Sequence, residues 1–345
     1  MRTAIVVTVL VLATCVGALG QDYRSLRLEA EAKYRTREYG EALKLYRQAF
    51  KIGKPGSVDR YNAACVAALD GQIDEAFGYL YDAVGAGLAG RDWEQALDED
   101  VDLTNLRTDR RWEPLKQKLW ENTAGLEKSF PEVRLEGAVI KLPEPSFTSN
   151  VPVEEALKNR RSIRSYDSSS VSLAEVSQLL WAAYGITQPV PNGPAQLRGG
   201  LRTAPSAGAL YPLEIYLVAR NVSGLARGVY WYRSETNELV TVYHEDRWDQ
   251  LVEASLDQPH FDTAAGAIVY SAVFHRTTDK YGPRGRERYV CMEVGHSGEN
   301  VYLQAYALKI GTCALGAFTD LWLKRAIGMT KEEEPLYIMP FGKIK

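Results

Sequence analysis

The stretch PSAGALYPLEIYLV at residues 205–218 contains the two features that decide the fold of the larger part of the chain. Its first eight residues are mostly small, and they are bounded by Pro205 and Pro212. Small residues let the backbone come close to a flat ligand, and N–H groups in such a loop can donate to a ring nitrogen or oxygen. From Leu213 to Ala219 the side chains alternate as in a strand. The stretch therefore predicts a binding loop beside a strand.

The sequence on both sides of this stretch alternates between strand and helix patterns. Ser172 and Glu175 form a capping box, which predicts a helix that ends at Gly185. Further strands are predicted at 228–233, 238–243, 267–274, 312–318 and 336–341, and further helices at 247–256, 287–310 and 321–327. Because several strands follow each other directly in this order, we expect an α+β sheet covered by helices rather than a doubly wound sheet.

A basic segment precedes the capping box. The run RRSIRSY at residues 160–166 places Arg160, Arg161 and Arg164 close to the Ser162 hydroxyl, and guanidinium groups bind phosphate oxygens through forked hydrogen bonds. Taken alone, this run is better explained by a solvated basic turn than by a phosphate site. A second small-residue loop, LGAF at residues 315–318, has the same character as the first. Because these three features share one domain, and the sequence contains neither GxGxxG nor GxxxxGK, we predict a bound flavin.

From about residue 151 to residue 345 the chain resembles the nitroreductase superfamily, and within it the SagB-type dehydrogenase branch. Five blocks in the order of that family carry the resemblance: RRSIRSY, PSAGALYPLEIYLV, KYGPRGRERYVCMEVGHSGENVYLQA at residues 280–305, GTCALGAF at residues 311–318, and LYIMPFGK at residues 336–343. The resemblance implies a nitroreductase-like α+β fold that binds FMN between the subunits of a homodimer. One face of the isoalloxazine ring would be open to substrate.

The resemblance also implies which residues contact FMN. Four residues of the basic segment would hold the phosphate and the ribityl chain. Three residues of the first loop would meet the flavin, often from the partner subunit, and two residues of the second loop would lie near flavin N5. A basic residue near the C-terminus would close on the phosphate. In this order they are Arg160, Arg161, Ser162 and Arg164; Ser206, Ala207 and Gly208; Gly316 and Ala317; and Lys343.

The adjacent pair Lys280 and Tyr281 has an implied catalytic role through the same resemblance. In azoline-oxidising members of the branch, such a pair is implicated in removing a ring proton while a hydride goes to flavin N5. A lysine acts as a base only where burial or a neighbouring cation lowers its pKa. Four nearby arginines could supply that cationic field, namely Arg276, Arg284, Arg286 and Arg288. The alternative is an exposed Lys280, with Tyr281 stacked on flavin or substrate.

The N-terminal part of the chain is organised differently. Residues 1–20 combine a cationic start, a short apolar run and small residues at Ala18 and Gly20, which predicts a secretory signal peptide. If it is not cleaved, this segment would anchor the chain to a membrane; once it is removed, we expect no membrane span. Prolines in the region of residues 130–150 predict a linker or an extended arm between two domains.

Residues 21–129 have the pattern of helices with a 34-residue repeat. The positions that repeat are Tyr39, Ala42, Tyr46 and Ala49, which align with Ile73, Ala76, Leu80 and Ala83. This period resembles the tetratricopeptide repeat, and a degenerate third unit is expected up to about residue 115. The resemblance implies an all-α domain that is either a platform for a protein or peptide partner or a structural cap.

Composition excludes several classes of function. Of 345 residues 41 are basic and 44 acidic, and the net charge of −3 argues against a nucleic-acid-binding protein. With four Cys, no CxxC motif and no pair of His at helical spacing, we expect no metal site. Together with the signal-peptide pattern, the resemblance implies an exported, periplasmic or extracellular FMN oxidoreductase that acts on a small molecule or a modified peptide. The alternatives are an NAD(P)H-dependent nitro or quinone reductase and a catalytically inactive, nitroreductase-like assembly module.

Overall fold

The computed structural model describes residues 22–345. The predicted signal peptide lies outside the described residues. Within residues 22–345, no helix is both long enough and apolar enough to cross a membrane. The chain divides into two compact units between Ala124 and Gly125. The first unit is helical, and the second is built around an antiparallel sheet.

The helices of the N-terminal part are α1 (Tyr23–Arg35), α2 (Tyr39–Ile52), α3 (Ser57–Leu69), α4 (Ile73–Gly85), α5 (Arg91–Glu99) and α6 (Trp112–Ser129). Helices α1 and α3 begin 34 residues apart, and so do α2 and α4. The repeated alanines Ala42, Ala76, Ala49 and Ala83 are all fully buried. Small residues at these positions let neighbouring helices approach closely, which explains why the period appears in the sequence.

The third pair of helices departs from this period. Helix α5 begins 34 residues after α3, but a 3₁₀ turn at Val101–Leu106 comes before α6. Leu103 and Leu106 of this turn are fully buried in the apolar core of the helical unit, together with Leu115 of α6. The turn therefore fills the core at the point where the period would start another helix.

The strands of the second unit are β1 (Val139–Lys141), β2 (Val171–Ser172), β3 (Ile186–Pro189), β4 (Gly200–Arg202), β5 (Leu213–Ala219), β6 (Val222–Ser223), β7 (Gly228–Arg233), β8 (Glu238–Tyr243), β9 (Gly266–Val273), β10 (Ile310–Thr312) and β11 (Glu333–Lys343). Seven of them form one antiparallel sheet in the order β1-β8-β7-β5-β9-β11-β10. The predicted strand at 213–219 is confirmed as β5, near the centre of the sheet.

The helices of the second unit are α7 (Val153–Asn159), α8 (Leu173–Tyr184), α9 (Trp248–Ala254), α10 (His275–Tyr281), α11 (Cys291–Ala307) and α12 (Asp320–Ile327). They cover both faces of the sheet, and successive residues of a strand point to opposite faces. Ile268 of β9 packs in one core with residues of α8 and α11. The next residue, Val269, packs in a second core with residues of α9 and α12. The predicted α+β sheet covered by helices is confirmed.

The segment at 130–150 runs along the sheet as an extended arm. Residues 139–141 pair with residues 238–240 of β8 at the edge of the sheet. Arg134 donates to the Tyr216 hydroxyl at 2.9 Å and to the carboxylate of Glu333 at 2.7 Å, and its guanidinium lies 4.1 Å from the ring centroid of Trp231. Both of its partners are buried in the sheet. The arm is therefore held by a buried ion pair as well as by strand pairing.

Two element boundaries differ from the sequence prediction. The strand predicted at 312–318 is wrong: β10 ends at Thr312, and the following residues form a loop. Within that loop, Leu315 exchanges two backbone hydrogen bonds with Ile338, which holds it to the sheet without a continuous ladder. The helix predicted at 287–310 begins with a π-helical turn at Gly285–Val290 and ends at Ala307. Apolar content alone does not distinguish a strand from a loop that packs on a sheet edge.

Candidate functional site

The loop at residues 205–212 has a strained backbone. Gly208, Ala209 and Tyr211 all have positive φ angles, of 65°, 52° and 47°. Left-handed backbone costs a residue with a side chain on the order of 1 kcal/mol or more, and it persists where the surroundings fix it. Here Ser206 fixes it, because its carbonyl accepts from Ala209 N–H at 3.0 Å and its hydroxyl accepts from Tyr211 N–H at 2.9 Å. Backbone strain held in this way is typical of functional loops.

The structure brings this loop together with the predicted catalytic pair. A Cβ atom on Gly208 would lie 2.8 Å from the Tyr281 hydroxyl and 3.0 Å from Lys280 Nζ. Glycine is therefore required at 208 both for its φ angle and for this close approach. The ring of Tyr281 is packed edge-on against that of Tyr289, at 4.9 Å between centroids. Residues that are more than 70 positions apart in the chain thus form one surface.

Lys280 itself is exposed at the end of α10, so burial within one chain does not provide the low-dielectric setting that a lysine base needs. Two of the four arginines expected to supply a cationic field are instead paired with carboxylates. Arg276 contacts the buried Glu214 at 2.7 Å, and Arg286 pairs with Glu334. The expectation of a net cationic field from these two residues is therefore wrong.

The basic segment lies beside β10 in an extended conformation. Ile163 N–H donates to the Thr312 carbonyl at 2.9 Å. The Arg160 guanidinium lies 5.3 Å from the ring centroid of Tyr302, and the hydroxyls of Ser162 and Tyr302 are 3.0 Å apart. Arg160 also lies 3.6 Å from the carboxylate of Glu299. Helix α11 therefore supports the segment through Tyr302 and Glu299.

The other basic groups of the segment are directed differently. Arg161 donates to the backbone carbonyls of Lys158 and Arg160, at 3.1 and 2.7 Å. Arg164 is exposed. Lys343, at the end of β11, pairs with the carboxylate of Glu175, so its ammonium already has a counterion in the single chain.

The second small-residue loop is connected to the basic segment by the same tyrosine. The Tyr302 hydroxyl accepts from Ala314 N–H at 2.8 Å while it contacts Ser162. Gly316 and Ala317 are exposed, and a Cβ atom on Gly316 would meet nothing within 4 Å. The loop therefore presents open backbone next to the basic segment.

The predicted contact residues fall into two sets, and one member of each lies against α11. The first set comprises Arg160, Arg161, Ser162, Arg164, Gly316, Ala317 and Lys343, and the second comprises Ser206, Ala207, Gly208, Lys280 and Tyr281. Tyr302 contacts Ser162 of the first set, and Glu293 lies beside Ser206 of the second. Tyr302 and Glu293 are nine positions apart, which is about 14 Å along the axis and about half a turn around it. In one chain, the two sets therefore approach α11 at well-separated positions.

The sequence analysis missed Glu293, a buried carboxyl behind the second set. Tyr184 donates to it at 2.5 Å, and the Ser206 hydroxyl lies close to it. Burial raises the pKa of Glu293 to about 7, although Ser206, Tyr184 and the nearby Arg202 act in the opposite direction. A signal was present in the sequence, because Glu293 shares helical spacing with Ser297, Val301 and Ala305, three buried residues of the same helix face.

The helical unit contains one group of possible metal ligands among the described residues. Cys65 Sγ and one oxygen each of Asp100 and Asp102 lie within 4.8 Å of one another. Tyr61 donates to Asp100 at 3.0 Å, and Tyr34 donates to Asp102 at 2.6 Å. Because these hydroxyls already satisfy the carboxylates, we assign no ligand to the group, and the expectation of no metal site stays a prediction.

Comparison with known proteins places the similarity in the second unit. Residues 157–343 match the "Nitroreductase family". Over 204 residues the chain is 41% identical to "Putative nitroreductase MJ1384" of Methanocaldococcus jannaschii, which covers 59% of this chain and 96% of that protein. Over 217 residues it is 25% identical to "Microcin B17-processing protein McbC" of Escherichia coli, with 58% of this chain and 74% of that protein covered.

Two solved structures of proteins with nitroreductase-type names show the same fold. One, from Ralstonia eutropha, has a TM-score of 0.50 and 27% identity, and the match covers 63% of this chain and 94% of that one. The other, from Anabaena variabilis, has a TM-score of 0.51 and 25% identity. That match covers 60% of this chain, and this chain spans only 42% of the Anabaena protein.

Proposed function

The chain belongs to the nitroreductase family, whose match covers more than half of it, and on that premise we propose that it is an FMN-dependent oxidoreductase. The observation that carries the proposal is the approach of Gly208 to the Lys280 ammonium and the Tyr281 hydroxyl. A strained loop that places a glycine opposite a lysine and a tyrosine is suited to a flat ligand whose substrate needs a proton moved. Family membership supports an oxidoreductase, and the identity of the flavin as FMN is part of the proposal.

The residues present fit FMN. Arg160, Arg161 and Arg164 offer forked donors for a phosphate, and Gly316 leaves open backbone beside them. Lys343 would have to exchange Glu175 for the phosphate as its counterion. When bound, FMN supplies an acceptor for two electrons, delivered as a hydride from the substrate. The protein's own part is to bind the phosphate, to orient the ring and to take the proton that leaves the substrate.

We propose that the site is shared between two copies of the chain. The supporting observation is that the two sets approach α11 at positions about 14 Å and half a turn apart. A ligand that touches both sets without passing around the helix takes one set from each of two subunits. A homodimer with two equivalent sites meets this condition, because a two-fold axis pairs the first set of each chain with the second set of the other.

For the substrate, we propose a small molecule or peptide-derived, azoline-like ring that is oxidised in the manner of a SagB-type dehydrogenase. The support is the Lys280–Tyr281 pair and the 25% identity to McbC, whose name states that it processes microcin B17. In this mechanism Lys280 Nζ accepts the substrate proton, and the Tyr281 hydroxyl beside it orients the ring. Lys280 is exposed in the single chain, so flavin and the partner subunit would have to cover it.

A second candidate is an NAD(P)H-dependent nitro or quinone reductase. The 41% identity to the nitroreductase-named protein of Methanocaldococcus jannaschii favours it. In that case a nicotinamide would deliver the hydride, and Lys280 would not be needed as a base. The two candidates therefore predict different effects of replacing Lys280 on activity.

For the N-terminal part, we propose an export signal followed by tetratricopeptide-like repeats that hold a protein or peptide partner. The support is the 34-residue spacing of the helix starts and the cationic and apolar pattern of the first twenty residues. Cell fractionation of the full chain tests the first proposal. Affinity capture with the full chain, compared with a chain carrying substitutions in the helical unit, tests the second.

The experiment that tests the main proposal is the visible spectrum of the full chain, purified with FMN and then freed of unbound cofactor. We expect about one flavin per chain. Oxidation of azoline peptides by the Lys280→Ala variant should then fall, while NADH-driven reduction of a quinone should not. A folded protein that binds no flavin would contradict the proposal and leave the inactive assembly module as the remaining alternative.

A further inference from the structure

Glu293 is a buried acid that the proposed mechanism does not use. It is 2% exposed on the inward face of α11. It accepts a hydrogen bond from Tyr184, and the Ser206 hydroxyl lies close enough to affect its pKa. Since the Ser206 hydroxyl also accepts from Tyr211 N–H, it connects the interior acid to the 205–212 loop. We propose that Glu293 is a positioning residue that holds this loop, through Ser206, against Lys280 and Tyr281. The importance of that loop rests on the proposed function.

The loop needs such a support because its conformation is not self-sustaining. Ala209 and Tyr211 carry side chains at φ angles of 52° and 47°, so the free loop would relax toward ordinary backbone angles. Two of the hydrogen bonds that oppose this relaxation end on Ser206. A Ser206 side chain that is free to rotate would release the Tyr211 N–H, and Glu293 is the group that fixes the rotation of this side chain from inside the protein.

Three groups face the Glu293 carboxyl, each from a different element. Tyr184 comes from α8, Ser206 from the loop and Arg202 from β4. The guanidinium of Arg202 lies beside the rings of Tyr184 and Tyr211, 4.9 and 4.8 Å from their centroids. Within residues 22–345, its Nε and Nη1 atoms have no hydrogen-bond partner. The carboxyl thus has two hydroxyl partners and a cation nearby, but no direct ion pair.

This environment makes the support sensitive to pH. Burial raises the pKa of Glu293 to about 7, whereas an opening of the loop that admits water would return the carboxyl to its ordinary range. Opening is then linked to loss of the proton, so the open fraction grows as the pH rises through this interval. Glutamine at position 293 keeps an acceptor for Tyr184 and a donor for Ser206, and it does not titrate.

The test is hydrogen exchange of the full-length protein, measured by mass spectrometry on peptides that cover residues 206–211. The wild type, Glu293→Gln and Glu293→Leu are compared at about pH 6 and pH 8, with exchange corrected for its intrinsic pH dependence. In the wild type we expect the open fraction to rise about tenfold between the two pH values. At both pH values, Glu293→Gln should exchange as slowly as the wild type does at pH 6. Glu293→Leu should exchange at least about tenfold faster than that at both pH values.

Two results would overturn the proposal. One is wild-type protection in Glu293→Leu, which would mean that the loop needs no support from the interior. The other is an unchanged pH response in Glu293→Gln, which would place the titrating group elsewhere. Flavin content is measured on the same samples, because exchange requires no cofactor. A protein that shows the expected exchange but binds no flavin would refute the proposed function and leave the positioning role intact.

Discussion

Replacing Glu293 with glutamine should stabilise the protein at neutral and alkaline pH. The substitution keeps the size of the side chain and its hydrogen bonds to Tyr184 and Ser206, and it removes the ability to ionise. Any change in stability therefore reports the cost of burying the charged form. Most buried carboxyls in ion pairs stabilise a fold when they ionise. Ionisation of Glu293 is expected to destabilise the fold instead.

The magnitude follows from the difference between the two states. In the unfolded chain the pKa of Glu293 has its usual value of 4.5, and in the folded protein burial raises the pKa to about 7. Below pH 4.5 both states hold the proton and ionisation costs nothing. Between these values the folded state binds more protons than the unfolded one, so stability falls as the pH rises. Above pH 7 the full cost of about 3 kcal/mol is present, at 1.36 kcal/mol per pKa unit.

Urea unfolding of the wild type and Glu293→Gln at about pH 5 and pH 8 measures this difference. The variant should have a higher free energy of unfolding than the wild type, and this difference should be about 2 to 3 kcal/mol larger at pH 8 than at pH 5. The exposed Glu245 supplies a matched control, since Glu245→Gln removes a carboxylate from the same unit without changing a buried group. A difference in the free energy of unfolding that is equal at both pH values, or larger at pH 5, would refute the reasoning.

Four further predictions concern other groups. Arg160→Ala and Arg164→Ala should each weaken FMN binding by about 1.5 to 3 kcal/mol, the range for a charged hydrogen bond; wild-type affinity by flavin fluorescence titration in both would contradict the phosphate assignment. Lys280→Ala should keep its flavin by absorbance and slow azoline oxidation, and flavin loss would make it a structural residue. Glu214→Ala should cost about 3 to 5 kcal/mol in urea unfolding, because it removes the buried carboxylate that pairs with Arg134, Arg198 and Arg276. Maleimide should modify the exposed Cys291 before the two buried cysteines, whose thiol pKa values burial raises; equal rates by mass spectrometry would count against the described burial.

Much of the fold could be predicted because its signals are local. The capping box at Ser172 and Glu175 forms as expected, and the alternation from Leu213 to Ala219 corresponds to a strand whose residues are all buried. The 34-residue period corresponds to the helix starts. In each case neighbouring residues, or a fixed repeat distance, contain the information.

The site was predictable only where composition limits the possibilities. Glycine at 208 and the basic run at 160–166 could be recognised as ligand-contacting types. The ion pairs and hydrogen bonds around the site could not be predicted. Arg276 pairs with Glu214, which is 62 positions away, and Glu293 bonds to Tyr184, which is 109 positions away. Contacts over such distances are set by the sheet order, which the strand patterns do not specify.

Arg134 shows where the chain can be divided. This residue precedes the family match by more than twenty positions, yet it is bonded to the buried Glu333 and Tyr216. A gene fusion or deletion that joined the chain at residue 150 would leave Glu333 buried without its cation. A division of the chain therefore has to fall before Arg134, so the arm is inherited together with the sheet although it lies outside the family match.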